Sequence, residues 1–95
     1  MDVISLTRKL LSFNTINPPG NEEEIAKFVG GILAGHGFKI EYPVFEDNRL
    51  HLIAEKGLSS KRPPIVLSGH FDTVPLGRKS WSFDPFTGDV NDGKI

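Results

Sequence analysis

Apolar residues return every three or four positions at the start of the chain. Val3, Leu6, Leu10 and Phe13 share one stripe, with Arg8 and Lys9 off it, so an amphipathic helix is expected over 1–13. It should stop by Ile16 or Asn17, because Pro18 disfavours helical geometry at the residue before it. Residues 14–20 then form a loop. Asn21 followed by Glu24 reads as a capping box, with Glu22, Glu23 and Glu24 in a first turn where the helix dipole favours negative charge. Ile25, Phe28, Val29, Ile32 and Leu33 make the buried stripe of this second helix, and Gly35 and Gly37 stop it. His36, in its last turn, reads as a solvent-facing cation near the helix C-terminus. Alternation of Phe38, Ile40 and Tyr42 with Lys39 and Glu41 predicts a strand over 38–45, with Pro43 marking an edge or an early end. Glu46-Asp47-Asn48 is a turn, and 50–55 returns as a second strand on which His51 is a cross-strand surface residue. After a polar connection over 57–62, Ile65-Val66-Leu67 follows Pro63-Pro64 as a short apolar run. Such a run suits a strand buried on both faces. Two helices, a hairpin-like pair and a buried strand predict an α/β fold with a mixed sheet.

The chemistry lies where that last strand ends, which is where open α/β sheets place their ligands. Ser68-Gly69-His70-Phe71-Asp72-Thr73-Val74-Pro75 carries His70 and Asp72 one residue apart. In an extended segment, side chains at i and i+2 point to the same side, so these two can converge. A neutral imidazole is a good ligand for zinc, and a neighbouring carboxylate can orient it. Spacing alone makes a weak signal, since surface loops also contain His-x-Asp. Three consecutive glutamates at 22–24 fan out around a helix axis, so capping explains them better than metal binding. Beyond Asp72 a long loop follows. Arg78 and Lys79 read there as a solvated pair, and Trp81, Phe83 and Phe86 as anchors of the loop to the body. Asn91-Asp92-Gly93 is a tight-turn signal leading into a further strand.

The run from Pro64 through Pro75 closely resembles the first metal-binding motif of the M20 family of metallopeptidases and deacylases. The resemblance continues through Trp81, Asp84-Pro85-Phe86 and Asp92-Gly93-Lys94, and has an upstream part in Asn17-Pro18-Pro19-Gly20-Asn21-Glu22. It implies hydrolysis of an amide bond in N-acyl amino acids or small peptides. Zn2+ would serve as cofactor, two ions per site, with Co2+ as a substitute. By the same resemblance His70 matches the first metal-ligating histidine. Asp72 matches the catalytic-site aspartate that orients that histidine and tunes the site. The loop over 14–20 is either a plain turn or a neighbour of the substrate cleft. The fold implied is the N-terminal portion of a zinc-exopeptidase-like three-layer catalytic domain with a mixed β-sheet. Residues 1–95 would then be one partial domain, without the family's lid or dimerisation domain.

The rest of the family's centre has no counterpart in this sequence: a metal-bridging aspartate, a glutamate base, another carboxylate ligand and a second histidine. Since a catalytic zinc needs about three protein ligands, the 95 residues alone are expected to be inactive and, with partner strands missing, marginal or self-associating. Two other readings stay open. One is the same fold used as a binding module that has lost its metal centre. The other is an unrelated α/β domain in which His70 and Asp72 are structural. Deacylase is preferred slightly over carboxypeptidase or dipeptidase.

Composition narrows the partners. Eleven basic and 12 acidic residues give a net charge of −1, without the basic footprint of a nucleic-acid binder. No apolar stretch nears the roughly 20 residues that span a bilayer. The first residues lack the pattern of a secretory signal, and there is no cysteine for disulfides or thiolate metal sites. The expectation is a cytoplasmic protein acting on a small acylated amino acid or peptide, with a homodimer open to the full-length protein.

Overall fold

The computed structural model describes all of residues 1–95. Helix α1 spans Val3–Leu11 and helix α2 Glu23–Gly35. Four short strands lie between them and the site: β1, Lys39–Glu41; β2, Val44–Glu46; β3, Arg49–Leu50; and β4, Ile53–Glu55.

The first helix starts at Val3, two residues inside its expected span. Asp2 is the N-cap, and its Oδ1 accepts from the backbone N–H groups of Ile4 and Ser5, both at 3.0 Å, satisfying donors that a helix start leaves open. At α2 the capping box is not formed. Asn21 sits at φ +147° and Glu22 takes the N-cap position without a side-chain cap. The Glu22 carboxylate is drawn instead to Arg49 on β3, with Nη2 2.8 Å from Oε1. A guanidinium fork outcompetes a local backbone donor for a carboxylate. Glu23 and Glu24 remain in the first turn as expected.

The strand expected over 38–45 is cut in two near Pro43, which has no N–H to give a ladder. The register nevertheless runs through the cut. Lys39 faces Glu55, Ile40 faces Ala54, and Val44 faces Leu50, all antiparallel, with the His51 N–H donating to the Pro43 carbonyl between them at 2.8 Å. The turn lies at Asp47-Asn48, with Asn48 at φ +59°. His51 is exposed and stacks on Phe45, ring centroids 4.7 Å apart, as a surface cross-strand residue should.

This hairpin covers α2, and there the small core forms. Ile25, Ala26 and Leu50 are its buried apolar residues. The buried side of α2 therefore runs through Ile25, Ala26 and Gly30, while Phe28, Val29, Ile32 and Leu33 of the expected stripe are half-buried. Tyr42 explains the rotation, because its ring lies against Gly30, where a side chain would collide with it. Helix α1 is attached more loosely. None of its residues is buried, and its end meets α2 through the Phe13 and Phe28 rings, 5.5 Å apart, with the Lys9 ammonium over both.

The largest departure is at Ile65-Val66-Leu67. The run forms no strand and stays 90%, 79% and 93% exposed. A strand buried on both faces needs a neighbour on each edge and a layer on each face, and no other segment of these residues lies beside it. The architecture is thus a small α/β arrangement of two helices and antiparallel pairs, not a mixed sheet. Of the expected anchors of the final loop, Phe86 is half-buried and lines a cavity against α1, but the other two differ. Trp81 and Phe83 are more than half exposed, and the Trp81 Nε1–H closes only a local turn onto the Leu76 carbonyl. Arg8 also holds the loop, donating through Nε to the Gly88 carbonyl at 2.6 Å. Gly88 is required for that approach, since a Cβ there would lie 2.8 Å from the Arg8 Cα. The Asn91–Lys94 hairpin closes as read, with Asp92 at φ +49°, Gly93 at φ +73° and both Asn91–Lys94 backbone bonds made. Between α1 and this loop an open cavity of about 800 Å³ is lined by Leu10, Phe13, Ile25, Phe71, Val74 and Phe86.

The unpaired, exposed apolar segment and the uncovered apolar cavity are both candidate association surfaces. The 95-residue chain should show an average mass in sedimentation that rises with concentration, and a double Ile65→Lys, Leu67→Lys variant should reduce that rise. A clean monomer with a sharp, concentration-independent unfolding transition would contradict it.

Candidate functional site

The site segment is held by the loop after α1. The two run side by side in the parallel sense, bridged at Ile16 and Thr73. The Thr73 N–H donates to the Thr15 carbonyl at 3.0 Å, and the Asn17 N–H to the Thr73 carbonyl at 2.8 Å. The Thr15 hydroxyl, itself 2% exposed, donates to the Phe71 carbonyl at 2.6 Å. These bonds keep 71–73 extended, so alternate side chains face opposite ways. Phe71 and Thr73 line the apolar cavity. His70 and Asp72 are absent from its walls and meet each other.

The His70 ring presents Nδ1 2.8 Å from Asp72 Oδ1 and 2.9 Å from the Asp72 backbone carbonyl. Both are oxygens that can only accept when the carboxylate is ionised. Nδ1 therefore carries the proton, and in the neutral ring the lone pair belongs to Nε2. The imidazole is 83% exposed, so Nε2 is open to a ligand or metal. The second Asp72 oxygen accepts from the Asn17 side-chain amide at 3.1 Å. That amide, followed by the His70 contact, holds the Asp72 carboxyl below its ordinary value. The structure thus brings the two sequence-chosen residues into contact and adds Asn17, a residue of the loop that the sequence left between a turn and a cleft neighbour.

Glu22 and Arg49 form the other charged pair of this region. Arg49 donates from Nε and Nη2 to the Glu22 carboxylate, which is 5% exposed, and approaches Glu46 at 3.6 Å. The Arg49 hydrogen bonds hold the Glu22 carboxyl below its ordinary value, more than burial raises it. The pair ties the end of the 14–22 loop to the hairpin. Its signal in the sequence was ambiguous, because Glu22 stood among three glutamates.

A single imidazole nitrogen with its orienting carboxylate fits one ligand position of a metal, not a whole centre. No group of three or more His, Cys, Asp or Glu side chains gathers anywhere in these residues. His36 bonds the Ile32 carbonyl at its own helix end, and His51 lies on the hairpin surface. Arg78 and Lys79 are exposed and make no ion pair, as a solvated pair does. No helix is long and apolar enough to cross a membrane.

The structure thus presents a carboxylate-oriented histidine from an extended segment, and comparison with known proteins bears on the family that the motifs resemble. The chain is 34% identical over 96 residues to a succinyl-diaminopimelate desuccinylase of Wolbachia pipientis wMel, covering all of the chain and 23% of that protein. Against the protein of the same name from Ehrlichia canis (strain Jake) it is 34% identical, over 97% of the chain and 24% of the relative. Against that of Wolbachia sp. subsp. Brugia malayi (strain TRS) it is 35% identical over 100 residues, again 24% of the relative. The chain spans about a quarter of the length of the curated relatives it matches. No family model matches it, and no solved structure does. By its likeness to these desuccinylases the chain belongs to the M20 family.

The Glu22–Arg49 pair makes a signed prediction. A carboxyl whose folded value is depressed stabilises above its unfolded value, here 4.5, and that contribution is lost as pH falls through the lower folded value. Glu22→Gln should lower stability by about 2 kcal/mol at neutral pH, the scale of charge-assisted hydrogen bonds. Thermal melts of the two proteins should converge below 4.5. An equal gap at acid and neutral pH would contradict the pairing.

Proposed function

We propose that these residues are part of the catalytic domain of a zinc-dependent amidohydrolase that removes the succinyl group from a small N-succinylated amino acid. The observation that carries the reading is the outward-facing, lone-pair-bearing Nε2 of His70, oriented by Asp72, in a chain whose relatives bear the name of a desuccinylase. His70 would hold one zinc ion through Nε2, and Asp72 would fix the tautomer and raise the basicity of the ring. Bound zinc supplies an acidified water and polarises the amide carbonyl. The remaining ligands and the general base would come from the part of the intact protein that the relatives' greater length represents. In that protein Ile65-Val66-Leu67 would be an interior strand of a three-layer domain, which accounts for an apolar run with no hydrogen-bond partner here. A cysteine-free segment is compatible with action in the cytoplasm.

The test uses the intact protein and an N-succinylated diamino acid. Removal of metal by a chelator should abolish turnover, and Zn2+ or Co2+ should restore it. His70→Ala should lower kcat/KM by about 100-fold or more, beyond the loss typical of outer-shell changes, with the fold retained by circular dichroism. The 95 residues alone should show no turnover with either metal. Full activity after metal removal, or turnover by the 95-residue chain, would overturn the reading.

A further inference from the structure

We propose that Asn17 is a positioning residue for His70. By donating its amide to one oxygen of Asp72 it reserves the other for the imidazole Nδ1–H, and so keeps Nε2 turned outward. The metal part of this inference rests on the function proposed above; the tautomer part does not.

At position 17 the fold needs only a backbone donor. The backbone N–H of Asn17 donates to the Thr73 carbonyl, and any residue except proline could do the same. The side-chain amide is not needed for that pairing, yet it reaches Asp72 Oδ2 at 3.1 Å. Its orientation is set chemically, since an ionised carboxylate accepts only and must face the NH2 end of the amide. No lysine or arginine forms an ion pair with Asp72. Two hydrogen bonds therefore hold its side chain, one from Asn17 and one from His70. Without the amide, the carboxylate gains freedom to rotate about its terminal torsion, whose minima are broad. The His70 Nδ1–H would then keep only the Asp72 backbone carbonyl as a fixed acceptor.

The experiment compares Asn17→Leu, a near-isosteric change that removes the donor, with wild type in the intact protein. Titration of the metal-free protein with Zn2+ should show affinity lowered about 3–10-fold, less than the 10–100-fold of a direct outer-shell partner. In an Asp72→Asn background the same substitution should change affinity by less than twofold, because its target is gone. The 15N spectrum of the metal-free protein, recorded where the His70 ring is neutral, should show Nδ1–H in wild type and a shift toward Nε2–H in Asn17→Leu. Zn2+ affinity within twofold of wild type, or an equal loss in both backgrounds, would overturn the proposal. An unchanged tautomer would overturn it too, including in a protein that takes up no zinc, where the metal reading fails by itself. If Asn17→Leu does not fold, Asn17→Ala, which also lacks the donor, carries the same comparison.

Discussion

The pairing of Thr15–Asn17 with 71–73 is the contact on which the arrangement of the site depends. Burial cannot supply that order, since only eight of the 95 residues are buried and three of those are the apolar core. That core lies between α2 and the hairpin, and the exposed His70 is not part of it. The segment after Leu67 is placed instead by four hydrogen bonds from two residues of one loop. At about 1 kcal/mol net each, they are comparable in sum to burying one or two aliphatic side chains. The loop is fixed in turn at its far end, where Glu22 meets Arg49 with both side chains largely withdrawn from solvent.

This arrangement sets the chemistry of the imidazole. A free histidine ring can protonate either nitrogen, but one whose Nδ1 faces two acceptors has little choice. The accessible Nε2 then has the property that metal binding requires, a directed lone pair on an exposed atom. The carboxylate opposite also strengthens that donor electrostatically. The motif identifies the residues, and the local bonds explain why they are presented in this orientation.

Much of this was legible in the sequence, for reasons that differ by element. Both helices were found, because periodicity over nine and 13 residues is a strong signal. The Asn91-Asp92-Gly93 turn was found because positive φ at two successive positions favours those residues. The convergence of His70 and Asp72 follows from the geometry of an extended chain. The misses share one cause, namely interactions between residues distant in sequence. Glu22 left its expected place in a first turn for Arg49, 27 residues away. Arg8 reached Gly88 across 80 residues, adding to a loop that aromatics alone were expected to hold. Asn17 lay in a loop whose polar side chains all looked alike. Ile65-Val66-Leu67 was read as a buried strand, but burial and pairing depend on neighbours that no local pattern supplies.

The central claim is that His70 offers Nε2 to a zinc ion while Nδ1 stays bonded to Asp72. Anomalous scattering at the zinc edge from crystals of the intact protein tests it directly. The account predicts a zinc peak within bonding distance of His70 Nε2, with Asp72 against Nδ1 and the Asn17 amide against Asp72. Zinc bound through Nδ1, or zinc bound elsewhere with His70 free, would contradict it.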